Sequence, residues 1–161
     1  MTTDGGEAKA APFHAGGEDS PHGPKRPWVV LVEDNPGDVR LVREAFYECG
    51  LHYNLTVLAD GERAMQLIDR LESETMACPN LMLLDIGLPK NGGFEILQRI
   101  RASPRFPQLP VVILTSSDAQ RDRERAAQLG VTKYIRKPGS LDDFIRLGLV
   151  FRTILTGRNG P

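Results

Sequence analysis

Apolar and polar positions alternate in blocks along this chain. Trp28-Val-Val-Leu-Val32, Leu81-Met-Leu-Leu84 and Val111-Val-Ile-Leu114 are continuous apolar runs. Runs of that length, with no polar interruption, fit strands covered on both faces. Leu55-Thr-Val-Leu58 and Lys133-Tyr-Ile-Arg136 are shorter and mix in polar groups, which suits sheet edges. Helical periodicity fills the gaps. Pro36 to Glu48 places Val39, Val42, Ala45 and Phe46 on one face, and a proline fits a first helical turn. Gly61 to Leu71 follows Asp60, a good N-cap. Phe94 to Arg101, Ala119 to Leu129 and Leu141 to Leu155 supply three more helices, with Gly50 and Gly130 placed where helices should stop.

Five strand–helix units in series predict an α/β domain, a parallel sheet with helices on both faces and right-handed crossovers. The fully apolar first, third and fourth strands belong at the centre and the other two at the edges. That selects the order 2-1-3-4-5, a doubly wound, flavodoxin-like sheet. Ligands of such sheets sit beyond the carboxyl ends of the strands, where the first and third diverge.

At 161 residues the chain suits one domain with a proper core. Residues 1–26 are rich in Gly, Ala and Pro and poor in bulky apolar groups, so they read as a disordered arm. His14 and His22 lie in that arm. The folded domain is expected over 27–156, with a short tail at 157–161. A net charge of −1 gives no broad basic field for nucleic acid or anionic membrane. No apolar stretch approaches the roughly 20 residues of a membrane span. The polar N-terminus lacks a secretory signal, which points to the cytoplasm. Cys49 and Cys78 have no metal-type spacing and read as reduced thiols.

Chemistry gathers at the predicted rim. The first strand ends in Glu33-Asp34, the third in Asp85, the fourth in Thr115-Ser116 and the fifth in Lys137-Pro138. Adjacent carboxylates repel, and desolvating them is costly, so an apolar run ending in two acids is either harmless surface or a site for a cation, and Asp85 and Lys137 at the same rim favour the cation. Hard oxygen ligands with open space suit Mg²⁺. Asp85, on the central strand, is the natural nucleophile, and a carboxylate attacking a phosphoryl group gives an aspartyl phosphate. Mg²⁺, the Lys137 ammonium and the Thr115 hydroxyl would each take one of the transferred oxygens.

These motifs together resemble the receiver domain of two-component response regulators. They are an acidic pair after the first strand, "LLDIGLP" after the third, Thr with a small neighbour after the fourth, and Lys-Pro after the fifth. The resemblance implies Asp85 as phosphoacceptor, Glu33, Asp34 and Asp85 as metal ligands, and the Gly87 backbone carbonyl as a further ligand. It implies Thr115 and Lys137 on the phosphoryl group, Tyr134 as a switch aromatic that turns inward with Thr115, and a cis Lys137–Pro138 bond. Leu88 stands where the family usually has Met. Gly87 and Ser117 occupy positions that influence phosphoryl lifetime. "VEDNPGDVRLVREAF" and "LPKNGGFEIL" look most like the small single-domain regulators paired with phytochrome-type histidine kinases. The implied protein is a phosphoacceptor, not an enzyme acting on foreign substrates.

Two other functions compete. An Asp-nucleophile phosphatase needs a second acid two residues after the nucleophile, and that position is Gly87. The other is a pseudo-receiver, a folded interaction module that takes no phosphate, and the intact set of Asp34, Asp85, Thr115 and Lys137 argues against it. Only 156–161 follow the last helix, so output is expected through protein contact or onward phosphotransfer. The last helix carries apolar residues over about two-thirds of its circumference, at about 100° per residue. That excess predicts a homodimer through the fourth helix, fifth strand and fifth helix, with Leu147, Val150, Phe151 and Ile154 on the shared face.

Overall fold

In the computed structural model, which describes residues 25–89 and 92–157, strands and helices alternate without exception. They are β1 (Trp28–Val32), α1 (Pro36–Glu48), β2 (Asn54–Leu58), α2 (Gly61–Ser73), β3 (Leu81–Leu84), α3 (Gly93–Ala102), β4 (Val111–Thr115), α4 (Gln120–Gln128), β5 (Lys133–Arg136) and α5 (Leu141–Thr156). The strands form one parallel sheet in the order β2-β1-β3-β4-β5, as the apolar runs predict. Expectations for the N-terminal arm, with His14 and His22, and for the tail lie almost wholly outside the described residues.

Alternation along each central strand splits the core in two. Val29, Leu31, Leu81, Leu83, Val112 and Leu114 face α1 and α5, where Val42, Phe46, Phe144 and Phe151 cover them. Val30, Val32, Met82, Leu84, Val111 and Ile113 face the opposite helices, against Leu67, Ile68, Ile96, Leu97 and Ala126. A strand with both faces covered reads as a near-continuous apolar run, as β1, β3 and the first four residues of β4 do, with Thr115 ending β4 at the rim.

Local signals set the helix ends. Asn35 accepts from the Gly37 and Asp38 amides, Asp60 from Arg63 and Ser140 from Asp143, satisfying amides that a first turn leaves orphaned. Gly50 and Gly130 adopt φ of +69° and +67°, the left-handed turn that closes a helix. Some boundaries differ from expectation. α2 runs two residues further, to Ser73, and α3 gains Gly93 and Ala102. α4 is shorter, with Ala119 and Leu129 as its caps.

Two expectations are corrected here. Phe151 is not a surface residue: it is fully buried, with its ring 5.4 Å from that of Phe46. Leu147 and Ile154 are part-buried against the same cluster. The wide apolar arc of α5 is explained mainly by burial against α1 and the sheet, leaving Leu141 and Leu149 as its exposed large apolar side chains. None of the described peptide bonds is cis, so Lys137–Pro138 is trans. An X–Pro bond favours trans by about 0.5–1 kcal/mol, and the trans chain already brings Lys137 to the acids described next.

Candidate functional site

The ladder between neighbouring strands continues one residue past their ends, and that fixes the rim. The Glu33 amide donates to the Leu58 carbonyl at 3.0 Å, the Asp85 amide to Val32 at 3.1 Å and the Lys137 amide to Thr115 at 2.7 Å. Three side chains that repel or attract strongly are thereby anchored by backbone bonds rather than by each other.

Lys137 is the hub. Its ammonium lies 2.8 Å from Glu33 Oε2, 2.8 Å from Asp38 Oδ2 and 3.0 Å from Asp85 Oδ2. Burial alone would depress its pKa. Hydrogen bonds to Asp38, Glu33 and Asp85 more than offset that, so the ammonium is held well above the ordinary lysine range. Glu33 is 3 % exposed. Burial raises its carboxyl above the usual range, against opposing bonds from Lys137 and from the Asn35 amide, which donates to Oε1 at 3.1 Å. The other Asp85 oxygen, Oδ1, accepts from the Gly87 amide at 2.9 Å.

Asp34 stays exposed, yet one oxygen from each of Glu33, Asp34 and Asp85 can be chosen so that all three lie within 4.8 Å of one another. Three carboxylates, Glu33, Asp38 and Asp85, thus meet a single ammonium, and Asp34 adds a fourth negative charge beside them. The local excess of negative charge and the all-oxygen donor set fit a hard divalent cation. Gly87 lines an open pocket of about 410 Å³ together with Asp85, Ile86, Phe94, Thr115, Ser116, Ser117 and Asp122. Thr115 is buried, and its hydroxyl oxygen accepts from the Ser117 amide at 3.3 Å.

Tyr134 is half-buried. Its hydroxyl donates to the Ser117 carbonyl at 2.9 Å, and the Arg123 guanidinium lies 4.7 Å from the ring centroid. Ser117 in turn donates to Asp122 Oδ2 at 2.6 Å. On α4, Asp122 therefore reaches the pocket and Arg123 covers the Tyr134 ring.

The structure brings Glu33, Asp34, Asp85, Thr115 and Lys137 to one rim, with Tyr134 one loop away. Val150, half-buried on α5, lies outside this group. Sequence reasoning missed Asp38 and Asp122. Each sits in the first turn of a helix, where an acid is ordinarily explained by the helix dipole. Asp38 could have been found from its place one turn after the Asn35 cap, on the helix that starts beside the acidic pair.

Residues 29–147 match the family described as "Response regulator receiver domain". Response regulator Rcp1 of Synechocystis sp. is 37% identical over 120 residues, 74% of this chain and 82% of that protein. The phosphorylated cyanobacterial phytochrome response regulator RcpA superposes with a TM-score of 0.75 at 30% identity, covering 83% of this chain and 96% of that one. The Mn²⁺-bound form of Rcp1 gives a TM-score of 0.71 at 34% identity, over 79% and 92% of the two chains.

Proposed function

Because this chain belongs to the response regulator receiver domain family, we propose that it accepts a phosphoryl group on Asp85 from a histidine kinase and passes the signal on by protein contact or further phosphotransfer. The observation that carries the reading is the Lys137 ammonium 3.0 Å from Asp85 Oδ2, beside a pocket that Thr115 also lines. A carboxylate oxygen of Asp85 attacks the phosphorus of a phosphohistidine. The new P–O bond forms as the P–N bond breaks, and the electron pair leaves with the imidazole, which takes up a proton. Charge on the transferred oxygens is met by the Lys137 ammonium and the Thr115 hydroxyl. Mg²⁺ held by Glu33, Asp34, Asp85 and the Gly87 carbonyl would supply further positive charge there. Tyr134, tied to Ser117 two residues beyond Thr115, is the element through which that loop reports the phosphoryl state.

The similarity to Rcp1 and to RcpA, a phytochrome response regulator, supports a phytochrome-type kinase as donor. A second copy of this chain docking on the α4–β5–α5 face, through Leu149 and Val150 instead of Phe151, completes the proposal. Sedimentation at tens of micromolar tests it, and a monomer there rejects it.

The deciding experiment is intact-protein mass after incubation with acetyl phosphate and Mg²⁺. Wild type gains one phosphoryl group; Asp85→Asn and an EDTA control gain none. Failure of folded wild-type protein to gain mass from either acetyl phosphate or a phosphorylated kinase overturns the reading.

A further inference from the structure

A lysine ammonium has three N–H donors and no acceptor, and at Lys137 all three are taken. Two go to Glu33 and Asp85, members of the acid group that suits a metal. The third goes to Asp38 Oδ2 at 2.8 Å, and Asp38 is not a member of that group. Asp38 is itself firmly placed, because Asn35 Oδ1 caps its amide and that of Gly37. The bond joins residues 99 positions apart, linking the start of α1 to the end of β5.

We propose that Asp38 is a positioning residue for phosphotransfer, anchoring the Lys137 ammonium beside Asp85 while Glu33 and Asp85 turn to a cation and to the incoming phosphoryl group. This rests on the receiver reading above. A lysine side chain is flexible and loses much rotamer freedom when fixed. An acceptor that takes part in no other step keeps one N–H occupied. The remaining two stay directed into the site, where they meet phosphoryl oxygens. Without that anchor the ammonium samples other rotamers, and each productive encounter must reorder it.

The test uses the full chain with Mg²⁺ and two variants. Asp38→Ala removes the anchor. Asp38→Asn keeps an acceptor oxygen and loses the charge. The first readout needs no phosphodonor: ¹⁵N-detected lysine ammonium resonances of the Mg²⁺-loaded protein, with Lys137 assigned by Lys137→Arg among the five lysines of the chain. A slowly exchanging Lys137 signal is expected in wild type and Asp38→Asn, and is lost in Asp38→Ala. The second readout is the initial rate of phosphorylation by acetyl phosphate. It falls about tenfold in Asp38→Ala and returns to within about threefold of wild type in Asp38→Asn. A wild-type rate in Asp38→Ala, or a slow rate with the ammonium signal intact, overturns the proposal. A wild type that takes phosphate from neither acetyl phosphate nor a phosphorylated kinase removes the receiver reading instead, and the ammonium signal alone then decides whether Asp38 anchors Lys137.

Discussion

Gly148 of α5 presses on the Ala45 carbonyl of α1 so closely that a β-carbon there would overlap it and stand 3.2 Å from Cys49 Cβ. The two helices meet backbone to backbone there, with no room for a side chain between them. Propensity alone says Gly→Ala inside a helix gains about 1 kcal/mol. Here the overlap is with backbone, which cannot swing aside, so Gly148→Ala is expected to destabilise by about 2 kcal/mol net. Gly157, with nothing within 4 Å of its would-be β-carbon, is the control, and Gly157→Ala should be neutral to slightly stabilising. Urea denaturation of the two variants checks both. Equal stability in Gly148→Ala and wild type would mean that α1 and α5 do not approach as described.

The same helix separates core from surface at neighbouring positions. Phe151 is fully buried against Phe46, whereas Leu149 is 58% exposed. Phe151→Ala should cost about 3–5 kcal/mol; Leu149→Ala should stay within about 0.5 kcal/mol. Thermal and chemical denaturation distinguish them. A small loss for Phe151→Ala would restore it to the surface that the apolar arc of α5 first suggested.

That misplacement shows what a sequence can and cannot carry. Strand order was legible because burial on both faces makes β1, β3 and Val111–Leu114 of β4 continuous apolar runs, while Lys133 and Arg136 mark β5 as an edge. Glu33, Asp34 and Asp85 were legible because they stand where apolar runs end, and Lys137 because it precedes a proline just past the last strand. The face that α5 buries was not, because Gly148 carries no side chain to reveal that α1 lies against it. Asp38 was hidden for a different reason. An acid in a first helical turn already has a sufficient local explanation, and its real partner is 99 residues away.

Between α2 and α3, Arg99 grips Glu72 with bonds of 2.7 and 2.6 Å and also reaches Asp69 at 3.0 Å. The Arg99 hydrogen bond, helped by Ser103, holds the Glu72 carboxyl below its ordinary value of 4.5. A carboxyl lowered on folding contributes stability above its unfolded value, and that contribution is lost as pH falls through the folded one. Wild type should therefore exceed Glu72→Gln in melting temperature at neutral pH, with the gap closing as acidification protonates the folded-state carboxyl. The gap should also narrow in high salt, because the pair is solvent-screened. A gap independent of pH would assign the effect of Glu72 to packing rather than charge.

Asp34 offers the cleanest test of the cation. It is the exposed member of the acid group and forms no ion pair with Lys137 among the described contacts. Removing its charge should leave the metal-free fold intact, whereas Glu33 or Asp85 could not be altered without disturbing the buried lysine. A ligand that binds only the native state stabilises it in proportion to the logarithm of its concentration over its dissociation constant. Millimolar Mg²⁺ should thus raise the wild-type melting temperature by a few degrees, on the order of 1 kcal/mol of linkage, and EDTA should reverse the rise. Asp34→Asn should melt as wild type does without metal and show little or no rise with it. Calorimetric scans with and without Mg²⁺ check this. An equal rise in both proteins would place the cation elsewhere, and the closely spaced carboxylates of Glu33, Asp34 and Asp85 would then need Lys137 alone to explain how they coexist.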